Sequence, residues 1–405
     1  MQSSRRLIQL SETWPRGLLR FFCTGCFPLC LIIGCDDNVD AAGRSRDSAG
    51  IAIVENPGTD RPLTWQLDHV VDIGATEGGI ELNQLIEYTV DADTMGHIFI
   101  LDQWYGQRVQ VVDTTGALIR TLTRAGAGPG ELGAGISVSA GGDGTVAVMD
   151  FSKGGIVRIR HDGTVLPSIL LPGYGLFGGA RVDGDTVVLH TIDLHSPTWQ
   201  ELVQYRTDSD SVTLTVFRPR RLSGVRLCRD YMDGLTPMLS PELRWTARGS
   251  RVAVTKTAAY EIELFSGPHL RQIVKRRASP VHGDADAVRR SFPDGKVVGS
   301  PDCTLSATDL VDRRGVAPVI QPVRRLAIDL EGRLWAERNT FPDEEPRVDV
   351  FTRAGAYLGT LAGFGAPLAF PATHLVVFAR ADSTLRGGRL AIFRLKRSGA
   401  PEAQH

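Results

Sequence analysis

Apolar residues along this chain come in short bursts, and within the bursts apolar positions tend to alternate with polar or small ones. GHIFILDQ (96–103), GTVAVMDF (144–151) and GRLWAERN (332–339) are three of them, each entered through a glycine. Runs of four to eight residues rich in Val, Ile and aromatic side chains, bounded by Asp-Gly or Gly-rich turns, predict β-strands. The bursts also recur at a fixed interval. Gly96 and Gly144 stand 48 positions apart, as do Asp102 and Asp150, and Gly116 and Gly163 stand 47 apart. A third clear copy spans 324–361; blurred copies run from Ala180 to Val216, from Leu243 to Val274 and from Thr373 to Leu395. Four strands in about 47 residues make one propeller blade, and radial repetition protects sheet edges that would otherwise stand open. Six copies predict an all-β, six-bladed β-propeller with four-stranded antiparallel blades over 51–397. The segment TWQLDHVVDIG (64–74) is left over at the front and is expected to close the ring as the outer strand of the last blade.

The stretch RAGAGPGEL (124–132), an inner strand, DGTVAVMD (143–150), an Arg/Val-rich strand and HDG (161–163) together resemble an NHL-type repeat. With the leader described below and the closing AIFRL (391–395), residues from about 50 to 397 are similar to bacterial six-bladed β-propeller lipoproteins of unassigned function. Within this repeat, GPGELG (128–133) matches the G-x-G-x-x-G spacing that cradles a dinucleotide pyrophosphate. Such a loop needs a strand before it and a helix after it, so that the helix N-terminus meets the phosphates. Here GALIRTL (116–122) leads instead into GISVSAGGDG (135–144), another strand, and Pro129 removes one loop amide. The glycines are expected to supply positive φ where one blade crosses to the next.

The N-terminus breaks the pattern. Arg5, Arg6, Arg16 and Arg20 precede FFCTGCFPLCLIIG (21–34), which is short and interrupted by Pro28. That is the layout of a signal peptide rather than of a membrane span. Ile32-Ile33-Gly34-Cys35 resembles a bacterial lipobox, with isoleucine where leucine is usual three places before the cysteine. The resemblance implies cleavage after residue 34 and lipidation of Cys35, and two or more acyl chains suffice for stable anchoring. Residues 35–50 then read as a flexible tether and 398–405 as a disordered tail. The expected address is the bacterial cell envelope, on the extracytoplasmic side, with the membrane reached by the lipid anchor only.

Composition narrows the function classes. Hydrophobic content of 42% and charged content of 22% are those of a globular chain. The leader carries four Arg and one Glu, so its removal takes the net charge from −1 to −4, which leaves no nucleic-acid footprint. Four of the six cysteines lie in or end the leader, so Cys23-x-x-Cys26 is no redox or zinc motif. Cys228 and Cys303 remain, both in blade-connecting segments, and a disulfide between them is expected in an oxidising compartment. Residues 275–321 are too long for an ordinary crossing and are expected to hold a short helix around Asp286–Ser291.

In a propeller the loops joining strands two and three of each blade share a face with the blade-to-blade crossings. Here those loops hold Trp104-Tyr105, Phe151-Ser152-Lys153, His190 to His195 with Trp199, and Arg338 with Phe341. A binding rim is expected from Trp104, Tyr105, His190, His195, Trp199 and Arg338 together with the 275–321 excursion, because specificity is usually built on loops over a rigid scaffold. Asp102 and Asp150 recur from blade to blade, which points to turn capping, since a catalytic residue is needed once. No HExxH, HxH or GxSxG occurs, and Asp183-Gly184-Asp185 lacks the length of an EF-hand loop. Lactonase-type propellers hold calcium in the channel with Asp, Glu and Asn, and this chain has four asparagines, two of them outside the blades. The expectation is therefore a monomeric binding or scaffolding module for a protein, peptide or glycan, with no cofactor, metal or nucleic acid. A hydrolase or lyase with its site at the channel mouth is the alternative.

Overall fold

The computed structural model describes residues 44–74, 82, 88–103, 106–171, 174–193, 200–206, 209–227, 230–232, 235–293, 296–298, 304–380 and 389–397. They form a six-bladed propeller of antiparallel blades. Blade one is Val90–Ala92, Ile98–Asp102, Arg108–Val112 and Leu118–Thr121, from channel to rim. Blade two is Gly135–Ala140, Thr145–Asp150, Gly155–Arg160 and Val165–Leu170. Blade three runs over Tyr174–Asp183, Thr186–Asp193, Gln200–Arg206 and Ser209–Phe217. Blade four has Arg244–Arg248, Arg251–Thr255, Glu261–Ser266 and His269–Arg276. Blade five has Val323–Ile328, Leu334–Arg338, Arg347–Phe351 and Tyr357–Ala362. Blade six takes Ala369–Ala372, Leu375–Arg380 and Arg389–Lys396 from the C-terminus. Its fourth strand is Gln66–Ile73, antiparallel to Arg389–Lys396 with Leu67 opposite Leu395, so the leftover N-terminal strand does close the ring.

The alternating direction of side chains along each strand becomes the packing between blades. In blade one Ile98 and Ile100 point into the core shared with blade six, while Phe99 and Leu101 point into the core shared with blade two. In blade two Val146 and Val148 face blade one, and Ala147 and Met149 face blade three. The second strands are therefore buried on both sides, which is why Thr145–Asp150 has no exposed residue. Further apolar clusters join blades three and four, four and five, and five and six, so each of the six interfaces is sealed. The outer strand Leu118–Thr121 has no further blade beyond it and is exposed throughout.

One feature departs from the four-stranded plan. Arg44–Ser48 and Ile51–Asn56 form a hairpin, and its second strand lies parallel to His269–Arg276, giving blade four a six-stranded sheet. Residues 44–50, read from sequence as the end of a tether, are thus a strand and its turn. Arg44–Ser48 is polar and exposed at every position, so it has no apolar pattern to betray it. From the hairpin the chain runs as a strap across blade five to blade six. The Asn56 side chain, 1% exposed, donates to Lys275 O (3.1 Å) and Gly355 O (3.0 Å) and accepts from Tyr357 N (2.9 Å). In the strap Leu63 N donates to Thr360 O (2.9 Å) and Arg61 O accepts from Thr360 N (2.8 Å), and Trp65 packs against Trp335 at 5.7 Å.

Candidate functional site

The blades present two unlike faces. On one, here the turn face, tight turns join strands one to two and three to four. On the other, the crossing face, loops join strands two to three and chain segments pass between blades.

The GPGELG loop lies on the crossing face, and its own side chains fill it. Glu131 accepts from Gly128 N at 2.8 Å and from Arg124 Nε at 2.8 Å. Lys153 donates to Gly128 O and Glu131 O at 2.8 and 2.7 Å. A Cβ on Gly126, whose φ is +156°, would fall 2.1 Å from Glu131 Oε2. A carboxylate thus sits against the amide that a phosphate would need. The recurrent Asp150 caps the same crossing: it accepts from Gly133 N (2.7 Å), Ala134 N (3.2 Å) and Ser152 N (2.9 Å).

The long crossings form the most distinctive part of this face. The described parts of 218–243, between blades three and four, and of 277–322, between blades four and five, pack into one cap. Helix α1 (Ala285–Ser291) starts at Asp284, whose side chain accepts from Ala287 N, and helix α2 (Ala307–Arg314) starts with a capping box between Ser306 and Asp309. The expected helix near Asp286–Ser291 is α1. Met238, Val288, Leu305, Ala307 and Leu310 make the cap's own buried core. Backbone bonds Met238 N to Gly315 O and Ala317 N to Met238 O, both 2.9 Å, tie the two crossings together. Arg290 fastens the cap to the neighbouring loop of blade five: it donates to Asp343 (3.0 Å) and Glu344 (2.9 Å) and lies 4.0 Å from the Phe341 ring.

Of the expected rim residues, Trp104, Tyr105, His195 and Trp199 lie outside the described residues, as do Cys35, Cys228 and Cys303. His190 is in the second strand of blade three rather than in a loop, is 4% exposed, and bonds Gln200 Oε1 at 3.2 Å. Burial lowers its pKa to about 4, against the opposing hydrogen bond to Gln200 Oε1, so it is neutral at pH 7.

Arg338 belongs to a clasp under the strap. It donates to Asp349 (3.0 and 2.8 Å) and to Asp60 (2.5 and 3.0 Å). Asp349, fully buried, also accepts from Tyr260 Oη (2.7 Å), Arg276 (3.2 Å) and Thr360 Oγ1 (2.6 Å). Both of its oxygens are taken, so this carboxylate has no lone pair with which to act as a base. Hydrogen bonds from Arg338 foremost, opposed by desolvation and aided by Arg276, hold Asp60 well below the usual carboxylate range. Sequence reasoning did not find Asp60 or Asn56; each meets its partners more than 200 positions away, and no local signal marks them.

Inside the ring, Tyr88 at the start of blade one reaches Trp245 of blade four, the opposite blade, and their rings stack at 6.2 Å. The pair lines a void of about 30 Å³, and a separate cup of about 270 Å³ is lined by residues at the turn-face ends of the inner strands. Arg181 and Arg248 line the cup, with Asp91, Asp93 and Asp183 around them. Among the described residues, no three His, Cys, Asp or Glu side chains gather as metal ligands, and no helix is long and apolar enough to cross a membrane.

No family model matches the sequence, and no curated protein matches it. Solved structures do resemble the fold. A protein described as exported from Bacteroides fragilis superposes with a TM-score of 0.50 at 10% identity, over 85% of this chain and 100% of that one. A member of the duf4221 family from Bacteroides vulgatus does so with a TM-score of 0.54 at 10% identity, over 83% of this chain and 99% of that one. At that identity the likeness shows a shared propeller architecture and nothing of the ligand.

Proposed function

We propose that this chain is an exported, membrane-anchored propeller whose crossing face is a docking platform for a protein, peptide or glycan. The observation that supports this reading is the cap. Its two crossings add helices and a separate apolar core that the ring, already sealed at six interfaces, does not need for closure. Structure added to one face of a rigid scaffold is where recognition is built. Phe151, 62% exposed on the strand-two-to-three loop of blade two, gives that face an open aromatic contact. Trp104, Tyr105, His195 and Trp199 belong by sequence to loops of the same face, and buried Trp and Tyr tend to dominate binding energy at interfaces.

The test is retention of envelope components on immobilised protein, compared between the native chain and the variants Trp104→Ala and Trp199→Ala. At unchanged thermal stability, at least one variant loses a retained component by 10-fold or more. Equal retention by both overturns the placement of the platform. The anchor is tested separately: Cys35→Ser moves the protein to the soluble fraction of a bacterial host, and a variant that stays on the membrane with its leader uncut refutes lipidation.

A further inference from the structure

The seam between blades one and two ends, on the turn face, in a cluster that owes nothing to the platform on the other side of the ring. In blade one, Phe99 and Leu101 enter this seam, and alternation places His97, just before their strand, on the same side. In blade two, Val157 and Ile159 enter it from the third strand, and His161 follows them at the turn. The two imidazoles lie with ring centroids 5.8 Å apart and planes 18° apart.

Hydrogen bonding prepares the two rings differently. Asp93 Oδ1 accepts from Met95 N and His97 N, both at 2.9 Å, and Asp93 Oδ2 bonds His97 Nδ1 at 2.8 Å. A carboxylate accepts and does not donate, so Nδ1 carries the proton and Nε2 keeps its lone pair. A carboxylate–histidine pair of this kind is the usual support of a metal-binding imidazole. His161 Nδ1, by contrast, is buried and has no hydrogen-bond partner. A third donor stands close by. The point that a Cβ on Gly144 would occupy lies 2.8 Å from His161 Nδ1 and 3.9 Å from Met95 Cε. Gly144 has φ +79°, a conformation that favours glycine and so leaves this space open. Met95 itself is 56% exposed, a long apolar side chain at a turn with no place in the core.

We propose that His97 Nε2, the His161 imidazole and the Met95 thioether together bind one Cu(I) ion. Two imidazoles alone would suit zinc, nickel or copper, and the soft thioether selects Cu(I) among them. With metal–nitrogen bonds of about 2.0–2.1 Å, the centroids of two imidazoles sharing an ion stand roughly 5–6.5 Å apart, a range that includes the observed 5.8 Å. Because the planes are near parallel, one ring must turn to meet the ion. That ring is His161, whose Nδ1 no hydrogen bond holds, while Asp93 fixes His97. Among the described residues, no third His, Cys, Asp or Glu joins the pair, so the donors are not the oxygen cage of a calcium or magnesium site. The inference departs from the metal-free module expected from sequence, because the two histidines belong to different blades and only the closed ring brings them together.

The experiment is an anaerobic competition titration. The full chain, reduced and with its thiols alkylated so that cysteine takes no part, is titrated into the coloured Cu(I) complex of bicinchoninate. It should withdraw one equivalent of Cu(I). Met95→Leu, a replacement at an exposed position, should weaken uptake by at least the roughly 10-fold that losing a mere supporting residue costs a metal site. His161→Phe, which keeps an aromatic ring beside His97, should weaken it as much. Zn(II), titrated against a coloured zinc chelator, should bind more weakly than Cu(I) and respond little to Met95→Leu. No withdrawal of Cu(I), equal withdrawal by a folded Met95→Leu, or zinc bound as tightly as copper overturns the proposal. Should His161→Phe not fold, the native protein still decides. Saturating Cu(I) should slow acylation of His97 and His161 by diethyl pyrocarbonate at least 5-fold, read by mass spectrometry, and unchanged rates refute the site.

Discussion

The two faces of this propeller are built by opposite means. On the turn face one device repeats: Asp93, Asp113 and Asp329 each accept from the amides two and four residues on, at 2.8–3.0 Å. On the crossing face the described crossings differ from blade to blade. Blade two's crossing is plugged by Glu131 and Lys153, blades three to five carry the cap, and blade five is clasped to the strap through Asp60. The difference teaches where each constraint acts. Turns between adjacent strands of one sheet have a single geometric problem and reuse one answer. Crossings between blades tolerate insertion, because the ring is sealed below them, and so can diverge toward a partner. The cup is the turn face's exception, since Arg181 and Arg248 belong to no repeated device.

The largest expected effect breaks the clasp on the crossing side. Asp349→Ala leaves Arg276, whose side chain is 1% exposed, without its buried carboxylate. Arg276 keeps the part-exposed Asp60 at 2.7 Å, so the loss should lie near the lower end of the about 3–5 kcal/mol that breaking a buried pair costs. Asp343→Ala removes an exposed partner of Arg290 and should cost under about 1 kcal/mol. Urea unfolding of the two variants checks the ranking, and equal losses would show the clasp to be superficial.

Next comes the cap. We propose that Cys228 and Cys303 pair, because Leu227 and Leu305, close to each in sequence, pack into the same cap core. Closing a loop of 75 positions stabilises by on the order of 4 kcal/mol in the chain-entropy model. Alkylation of the purified oxidised protein before and after reduction decides, and two free thiols at the outset refute the pairing.

A smaller effect is expected from pH. His190 has its folded pKa depressed from 6.5 to about 4, so its contribution is complete above pH 6.5 and lost as pH falls toward 4. The shift corresponds to about 3 kcal/mol. Asp60, also depressed, contributes fully above its ordinary 3.8 and is lost only below that, so the two windows are separate. Unfolding free energies at pH 7, 5.5 and 4 should decline in the native protein and flatten in His190→Gln; identical slopes would place the titration elsewhere.

The smallest effect belongs to the repeated turns. Gly96 has φ +92°, and a Cβ there would touch only Thr114 Cγ2 at 3.4 Å, so Gly96→Ala should cost about 1 kcal/mol of backbone strain and nothing in packing. A thermal melt suffices, and a much larger loss would mean that the turn face is less uniform than its hydrogen bonds suggest.

The strands, the count of blades, the closing segment and the helix α1 were legible in the chain, because each follows from neighbours in sequence. Ile98 to Leu101 show why: four apolar residues in a row are what a strand needs when its alternating side chains are buried in two different blade interfaces. The glycine loop was legible as well, since a strand after GPGELG already argues against a phosphate cradle. Only the tertiary structure decided the rest. The N-terminal hairpin gains its place from the edge that residues near 272 offer its second strand, Asp60 from arginines at 276 and 338, and the cup from side chains of separate blades. Alternation is a property of the local backbone, which the sequence writes down directly. A charge's partner depends on which distant strands the closed ring brings together.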